Sequence, residues 1–299
     1  MRSLFGCILA SLGSTTCFAS NGPVGHWTFN EGRGSVVHDS AGRSNGAVIG
    51  APTFVRGVQG TALSFQRSTG DCVDVGNIPL FDFANDADFS VSLWVKYTVD
   101  STGDHYPVTN HYITVANGWF CFTGVSGGCY GDPNQMSFYV SDPCGAEVTS
   151  PINVFDGAWH HIVSVFDGGA SKGIFVDGGP VDAHGSSGSV AVHPLSRLLF
   201  GGVTNTNGQA LAAFDGLLDD VQIYDRVLNC AEVNYLRDHP GAAVAIVADL
   251  EGDGDVDGAD LATMLGAWGP CGASCAADLD CSGAVDAADL AVLLGAWTG

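Results

Sequence analysis

The sequence predicts a mainly β protein, an antiparallel sandwich or jelly roll, followed by a small C-terminal α-helical domain. Short apolar-polar alternations separated by Gly, Asn, Asp and Pro fill residues 22–238 and are typical of many short strands. An acid-rich internal repeat fills residues 249–299. The acidic residues are also divided unevenly between Asp and Glu, since only four of the 32 are Glu. Asp favours turns and metal loops, so this bias also indicates a loop-rich chain.

Residues 1–19 have the features of a signal peptide. The positively charged Arg2 precedes an apolar run at residues 4–12. The small residues Cys17 and Ala19 stand at positions −3 and −1 of a predicted cleavage site. A lipidated Cys17 is the alternative. No later stretch reaches about 20 apolar residues, so we expect no membrane span and a secreted, extracellular protein.

The charge balance excludes one class of partner. Ten Lys and Arg stand against 32 acids, which gives a formal charge of −22. This field repels a phosphate backbone, so we expect no nucleic-acid partner.

The strand pattern supports a sandwich over residues 22–238. In the run FSVSLWVKY, alternate apolar residues from Phe89 to Tyr97 share one face. Seven further runs are predicted strands: Val24–Phe29, Ala62–Phe65, Met136–Val140, His160–Phe166, Gly173–Val176, Arg197–Gly201 and Leu217–Tyr224. Asn229 is a predicted cap for one short helix, CAEVNYLRD. The Pro-, Gly- and Ala-containing residues 239–248 are a predicted linker.

The C-terminal residues repeat. DLEGDGDVDGADLATMLGAWG begins at Asp249, and DLDCSGAVDAADLAVLLGAWTG begins at Asp278, 29 residues later. Each copy predicts a polar loop followed by an apolar helix, and residues 249–299 hold ten acids with no Lys or Arg. We expect the apolar helix residues to form the module's own core: Leu261, Leu265, Trp268, Leu290, Leu294 and Trp297.

The spacing of the acids predicts two calcium loops. Oxygen donors recur at loop positions 1, 3, 5, 7, 9 and 12, a pattern that surrounds one hard cation, and Gly254 permits the sharp turn. The predicted ligands of the first loop are Asp249, Glu251, Asp253, Asp255 (backbone carbonyl), Asp257 and Asp260. Those of the second, which has one carboxylate fewer and should bind more weakly, are Asp278, Asp280, Ser282, Ala284 (carbonyl), Asp286 and Asp289. The alternative is a pair of acidic turns that cap helices.

The cysteines indicate disulfides. Eight remain after the signal peptide, an even number that favours bridges in an oxidising compartment. Cys121 and Cys129 flank the Gly-rich segment FTGVSGG, which could fold back and join them. Zinc binding is the alternative for Cys271, Cys275 and Cys281, although the usual spacing and a fourth ligand are missing.

Aromatic residues between positions 100 and 132 form a candidate glycan site. Sugar sites need aromatic faces and polar groups on a rim, and Tyr106, Tyr112, Trp119 and Tyr130 offer them here. The alternative is that Trp119 belongs to the core. No Glu-x-Asp-x-x-Glu strand is present, so the paired carboxylates of a retaining glucanase are missing. We therefore expect no enzymatic activity.

Two families resemble this chain. Several segments of residues 22–238 resemble LamG-like jelly rolls of the concanavalin A-like lectin/glucanase superfamily. They are VGHWTFNEGRGSVVHDSAGRSNGAVIG, GVQGTALSFQRSTGDCVDVGN, GAWHHIVSVFDGGASKGIFVDGGPVDA and FDGLLDDVQIYDRVLNCAEVNYL. Residues 249–299 resemble type I dockerin repeats. Their positions 10 and 11 are Gly258, Ala259, Ala287 and Ala288, whereas cohesin-binding dockerins commonly carry hydroxyl residues there.

Together the resemblances imply a secreted, non-catalytic carbohydrate or cell-surface binding protein. A calcium-loaded tail would attach it to a cohesin-like or other extracellular protein. A structural adhesion protein with a protein ligand is one alternative. A glycoside hydrolase of the same superfamily that acts in polysaccharide breakdown is another.

Overall fold

The structure is a computed structural model. It describes residues 22–42, 44–84, 87–97, 103–113, 117–124, 134–141, 147–168, 171–185, 190–244, 248–251, 253–271 and 275–298. The predicted signal peptide lies outside the described residues.

The described part of residues 22–238 is built almost entirely of strands. They are, in chain order, β1 Gly25–Trp27, β2 Val36–Val37, β3 Gly46–Ile49, β4 Thr53–Arg56, β5 Thr61–Phe65, β6 Cys72–Gly76, β7 Phe89–Tyr97, β8 His105–Asn110, β9 Trp119–Thr123, β10 Gln135–Val140, β11 Val148–Asn153, β12 His160–Asp167, β13 Ser171–Val176, β14 Gly179–Gly185, β15 Leu198–Phe200, β16 Gly202–Thr204, β17 Ala210–Ala212 and β18 Gly216–Tyr224. Each of the eight predicted runs overlaps one of these strands.

Two antiparallel sheets pack face to face, which confirms the predicted sandwich. The first has the strand order β14-β13-β12-β7-β18-β5-β4, and β1 pairs with β18 beside this path. The second has the order β11-β10-β9-β8-β15-β6-β3-β2. Several neighbours, such as β7 with β18 and β15 with β6, are distant in sequence, so the chain crosses repeatedly between the sheets.

Strand β7 shows why the core lies between the sheets. Phe89 and its alternate partners through Tyr97 are completely buried and pack among the residues of the inter-sheet core. The intervening Ser90 and Ser92 are buried as well. Since β7 is a central strand with both faces covered, the alternation separates two buried environments rather than core and solvent.

Helix α1 (Cys230–Asp238) covers the outer face of the first sheet. Asn229 and Glu232 form the reciprocal capping box, with Glu232 N donating to Asn229 Oδ1 at 2.9 Å. Val233 and Leu236 pack with Tyr224 of β18 in a second apolar cluster. The predicted helix therefore exists, and it closes the sandwich on that side.

Residues 239–244, within the predicted linker, lie against the same sheet. Gly241 N donates to Asp220 Oδ2 at 2.7 Å, and Gln222 Nε2 donates to the Ala242 carbonyl at 2.9 Å. Val244 N reaches the Tyr224 hydroxyl at 3.2 Å. Buried polar side chains of β18 thus fix the path of the chain as it leaves the sandwich.

The C-terminal residues form two similar helical units. Helix α2 spans Gly258–Gly266 and helix α3 spans Ala287–Gly295, with the short pair β19 (Gly269–Pro270) and β20 (Ala284–Val285) between them. Gly269 pairs with Val285, and Thr298 N donates to the Val256 carbonyl at 3.0 Å. The two contacts are equivalent after a shift of 29 residues, so the units are related by a pseudo-twofold arrangement.

The core of this tail differs from the predicted one. Its buried residues are Ala248, Val256, Met264, Ala277, Leu279, Val285 and Leu293. Leu261 and Leu290 are half-buried against that cluster, whereas Leu265, Trp268, Leu294 and Trp297 are 52%, 48%, 52% and 38% exposed. The prediction was wrong for these four because a nine-residue helix buries only a narrow stripe in so small a unit. We call these four side chains the tail apolar patch.

One disulfide joins the tail to the sandwich. Cys230 in the first turn of α1 is bonded to Cys281, which stands between Asp280 and Ser282 in the second acidic loop. The bond closes a sequence separation of 51 residues. Among the described residues, no helix is long and apolar enough to cross a membrane.

Candidate functional site

The outer face of the second sheet carries an aromatic cluster. Phe120 and Phe122 of β9 point away from the inter-sheet core and pack with Tyr139 of β10 and the half-buried Tyr106. The Phe120 ring stacks on Tyr139 at 4.5 Å and lies 4.7 Å from the ring of His111. Tyr106 therefore belongs to a packed aromatic layer, supported on the Phe122 ring at 6.1 Å.

Trp119 is not a ligand-binding residue. It is completely buried between the sheets, and its Nε1 donates to the Phe81 carbonyl at 2.9 Å. Its neighbours include the ring of Phe89 at 5.5 Å. Strand alternation explains the error, because Phe120 and Phe122 take the outer face of β9 and leave Trp119 and Cys121 facing the core.

The predicted Cys121–Cys129 disulfide is also wrong. Cys121 is a free, completely buried thiol whose Sγ lies 3.4 Å from Ser164 Oγ in the opposite sheet. Burial raises the pKa of this thiol to about 12. Cys129 and Tyr130 lie outside the described residues.

Tyr112 lies at the end of β8, where three segments meet. Its ring stacks on His193 with a centroid distance of 3.9 Å and an interplanar angle of 10°. The Tyr112 hydroxyl donates to the Thr206 carbonyl at 2.9 Å. Both rings are half-exposed. Sequence reasoning found Tyr112 but missed His193, since no local signal links two residues that far apart in the chain.

The second acidic loop brings three predicted ligands together. Single carboxylate oxygens of Asp278, Asp280 and Asp289 all lie within 4.8 Å of one another. Asp289 is completely buried, and its Oδ1 accepts hydrogen bonds from Leu279 N at 2.6 Å and Asp280 N at 3.0 Å. Ser282 Oγ donates to the Ala284 carbonyl at 3.0 Å.

The first loop has the same hydrogen-bond plan but a more open set of acids. Asp260 is completely buried and accepts from Leu250 N and Asp257 N, each at 2.7 Å. Asp249 accepts from Asp253 N and Gly254 N. Glu251, Asp253 and Asp255 are exposed. Across the described residues, no group of three acids converges here as in the second loop.

The acids at loop positions 9 and 12 also cap the helices. Asp257 Oδ1 accepts from Ala259 N at 2.7 Å, and Asp286 Oδ1 accepts from Ala288 N at 2.8 Å. Asp260 and Asp289 complete the two capping boxes. The capping alternative thus describes a real role of these four residues, whereas Asp278 and Asp280 cap no helix and accept N–H groups of the loop itself.

A cleft of about 1000 Å³ separates α1 from the tail. Asn234, Tyr235 and Arg237 line one wall, and Asp249 and Asp278 line the other. The Cys230–Cys281 disulfide also lines this cleft, and Asn234 Nδ2 lies 3.4 Å from Cys281 Sγ. The second acidic loop is therefore attached directly to the sandwich.

Cys271 and Cys275 are free thiols beside this loop. Cys271 Sγ lies 3.8 Å from Asp278 Oδ2. Cys281, the third cysteine of the alternative zinc set, is bonded to Cys230. A disulfide sulfur is not a thiolate, so the proposed three-cysteine zinc set is wrong.

The two packed antiparallel sheets define a jelly-roll sandwich. The family model Laminin_G_3, described as the concanavalin A-like lectin/glucanases superfamily, matches residues 67–234. This match covers more than half of the chain, and the chain belongs to that superfamily. No curated protein sequence matches the chain closely enough to count as a relative.

Several solved structures share the fold at low identity. The binding domain of Paraclostridial Mosquitocidal Protein 1 is 16% identical to this chain, with a TM-score of 0.57. The match covers 72% of this chain and 52% of the toxin chain. Domain 4 of AbnA, a GH43 extracellular arabinanase from Geobacillus stearothermophilus, in complex with arabinotriose, is 17% identical with a TM-score of 0.54. That match covers 73% of this chain and all of the AbnA domain.

The binding domain of botulinum neurotoxin DC in complex with rat synaptotagmin II is 13% identical with a TM-score of 0.51, covering 72% of this chain and 51% of its own. This chain thus spans about half the length of the two toxin binding domains. At these identities the likeness establishes the fold.

Proposed function

We propose that the protein is a secreted, non-catalytic carbohydrate or cell-surface binding protein whose sandwich recognises a glycan. The observation that carries this proposal is the match to the AbnA domain, which extends over the whole of that domain and concerns a structure containing arabinotriose. The partly exposed, stacked rings of Tyr112 and His193 support it, because sugars present apolar C–H faces that pack on aromatic rings.

The positions of the glutamates support a non-catalytic role. A retaining glycosidase needs two carboxyl groups about 5 Å apart. Glu31 accepts the His38 backbone N–H at 2.7 Å, and Glu232 caps α1 and pairs with Arg226 at 2.7 Å. Both are thus engaged in separate structural contacts, and Glu147 immediately precedes β11.

Affinity electrophoresis of the mature full chain through gels containing single polysaccharides tests this proposal. We expect selective retardation by at least one polysaccharide and no release of reducing ends from it. Release of reducing ends that requires an intact sandwich would contradict the non-catalytic part. Uniform migration in every gel would contradict glycan recognition itself.

For the tail we propose a dockerin-like module that binds calcium in its two loops and attaches the protein to another extracellular component. The donors fit this ion, since the second loop gathers three carboxylates and hydroxyl and carbonyl oxygens that a hard cation prefers. Without a cation, three carboxylates so close together repel one another.

Calorimetric titration of the chelator-treated full chain with CaCl₂ tests the tail. We expect two binding events, of which Asp278→Asn with Asp280→Asn removes one. We also expect calcium to raise the melting temperature of the tail, because an ion that binds the folded state stabilises it. The absence of binding heat and of any shift in melting temperature would contradict the calcium proposal.

A second candidate is a structural adhesion protein with a protein ligand. The four exposed side chains of the tail apolar patch favour it, since exposed apolar groups commonly mark protein interfaces. The neurotoxin binding domain solved in complex with rat synaptotagmin II is an example of a protein ligand on this fold. A partner that is retained by the immobilised full chain and is not displaced by excess glycan would favour this candidate.

A further inference from the structure

We propose that Tyr112 and His193 form a binding platform for a neutral glycan at the rim of the second sheet. This inference rests on the proposed carbohydrate function and names its site and ligand class. The two stacked rings lie 3.9 Å apart and nearly parallel, and both are half-exposed. Each ring covers the inner face of the other, so a sugar ring would pack by its C–H face on an outer face of the pair.

The platform is rigid because three chain segments hold it. Asn117 is buried, and its side chain accepts from Tyr112 N and donates to the Tyr112 carbonyl, each at 3.0 Å. The Tyr112 hydroxyl is fixed on the Thr206 carbonyl, and Ile113 N donates to the Thr204 carbonyl at 3.0 Å. A preorganised surface loses little conformational entropy when a ligand binds.

His193 offers a defined hydrogen-bond donor beside the rings. Leu195 N donates to His193 Nδ1 at 3.2 Å, so the proton of the neutral ring is on Nε2. This Nε2–H points outward in the ring plane, so a hydroxyl oxygen of the next sugar residue along the glycan, at the edge of the rings, can accept it. Tyr112 and His193 therefore supply both the apolar face and a polar edge.

The surroundings favour an uncharged ligand. The three segments that meet here, residues 110–113, 190–196 and 203–212, contain no Asp, Glu, Lys or Arg, although the whole chain has 32 acids. Arg197, the next residue of the second segment, is paired with Asp74 at 2.8 Å. An acidic polysaccharide would find no unpaired cation in these segments and would be repelled by the net charge of −22.

The rim is also apolar where a glycan chain would extend. Ile113, Val192 and Leu195 are 44%, 42% and 44% exposed on the same three segments. The loop from Asn205 to Gln209 adds uncharged amide and hydroxyl groups. Apolar side chains among neutral hydrogen-bonding groups match the mixed surface of a neutral oligosaccharide.

The test uses the mature full chain and affinity electrophoresis in arabinan, xylan, mixed-linkage β-glucan and galactomannan, with polygalacturonate and alginate as the acidic probes. The variants are Tyr112→Ala, His193→Ala and Tyr112→Phe. Tyr235→Ala is the matched control, because Tyr235 stacks on His239 at 4.4 Å on α1 but stands beside the charged Arg237 and Asp238. Unchanged melting temperature verifies that each variant is folded.

We expect wild type to bind at least one neutral polysaccharide. Tyr112→Ala and His193→Ala should each weaken that binding at least ten-fold. The affinities of Tyr112→Phe and Tyr235→Ala should stay within three-fold of the wild-type affinity. Binding of a neutral polysaccharide with equal strength by wild type and both alanine variants would overturn the platform but leave the proposed function intact. Binding of only the acidic probes would overturn the neutral ligand class. Binding of none of the probes would overturn the platform together with glycan recognition.

Discussion

Asp253 and Ser282 occupy equivalent positions in the two acidic loops but form opposite hydrogen bonds two residues downstream. The Asp253 carboxylate accepts from Asp255 N at 3.0 Å, whereas the Ser282 hydroxyl donates to the Ala284 carbonyl at 3.0 Å. The two loops are otherwise built on one plan, with a buried Asp at position 12. Position 5 is therefore the clearest chemical difference between the two proposed calcium sites.

We expect exchange of these residues to exchange the calcium affinities. Ser282→Asp adds a carboxylate to the second loop and should raise its affinity for calcium about ten-fold, since affinity follows ligand charge. Asp253→Ser should weaken the first loop by a similar factor. Calorimetric titration of both variants and of the double exchange measures this, and unchanged affinities would contradict a ligand role for position 5.

Removal of the Cys230–Cys281 disulfide should destabilise the tail. Closing a separation of 51 residues restricts the unfolded chain, so its loss in Cys230→Ser with Cys281→Ser should cost about 4 kcal/mol. Urea unfolding of the double variant measures the change. Dithiothreitol should produce a similar loss in wild type and none in the variant, and an equal response of both proteins would assign the effect to other cysteines.

The exposed tryptophans of the tail should tolerate truncation, whereas its buried residues should not. Trp268→Ala and Trp297→Ala remove side chains that are 48% and 38% exposed, so each should cost under about 1 kcal/mol. Met264→Ala and Leu293→Ala each leave a cavity in the tail core and should cost about 2–5 kcal/mol. Urea unfolding compares the pairs, and larger losses at the tryptophans would restore the core role expected from the sequence.

His160 should make the sandwich more stable in mild acid. Its Nδ1 lies 2.8 Å from Asp177 and its Nε2 lies 3.1 Å from Asp156, and the hydrogen bond to Asp177, with a smaller contribution from Asp156, raises its pKa. A raised folded-state pKa stabilises the folded protein below the unfolded value of about 6.5, and this contribution is lost as pH rises through the folded pKa.

The stability difference between wild type and His160→Gln should therefore be larger at pH 5.5 than at pH 8. Urea unfolding at both values measures it. An NMR titration of the His160 ring gives the independent control, and a pKa below that of an unfolded histidine would contradict the assignment.

Local pattern was sufficient to predict eight of the 18 strands in the described part of the sandwich, together with the first helix. The alternation from Phe89 to Tyr97 identified the whole of β7, and the Asn229 cap located the start of α1. Both depend on residues within a few positions of each other. The same holds for the two acidic loops, whose hydrogen bonds are almost all internal to each loop.

Contacts between distant segments could not be predicted. Trp119 and Phe120 are adjacent aromatics, and only the packing of β9 between two sheets decides that Trp119 is the core residue. His193 reaches Tyr112, and Cys230 reaches Cys281, through the tertiary fold alone. The even number of cysteines indicated disulfide bridges, but the partner of each cysteine depends on which chain segments meet in the fold.

The bond between α1 and the second acidic loop also determines how the protein responds to proteolysis. A single cut at any site between Cys230 and Cys281 leaves two fragments that stay covalently joined. The sandwich and the two helices of the tail would separate only after both cleavage and reduction. A chain built in this way keeps its sandwich joined to its tail even after a protease has cut the chain between them.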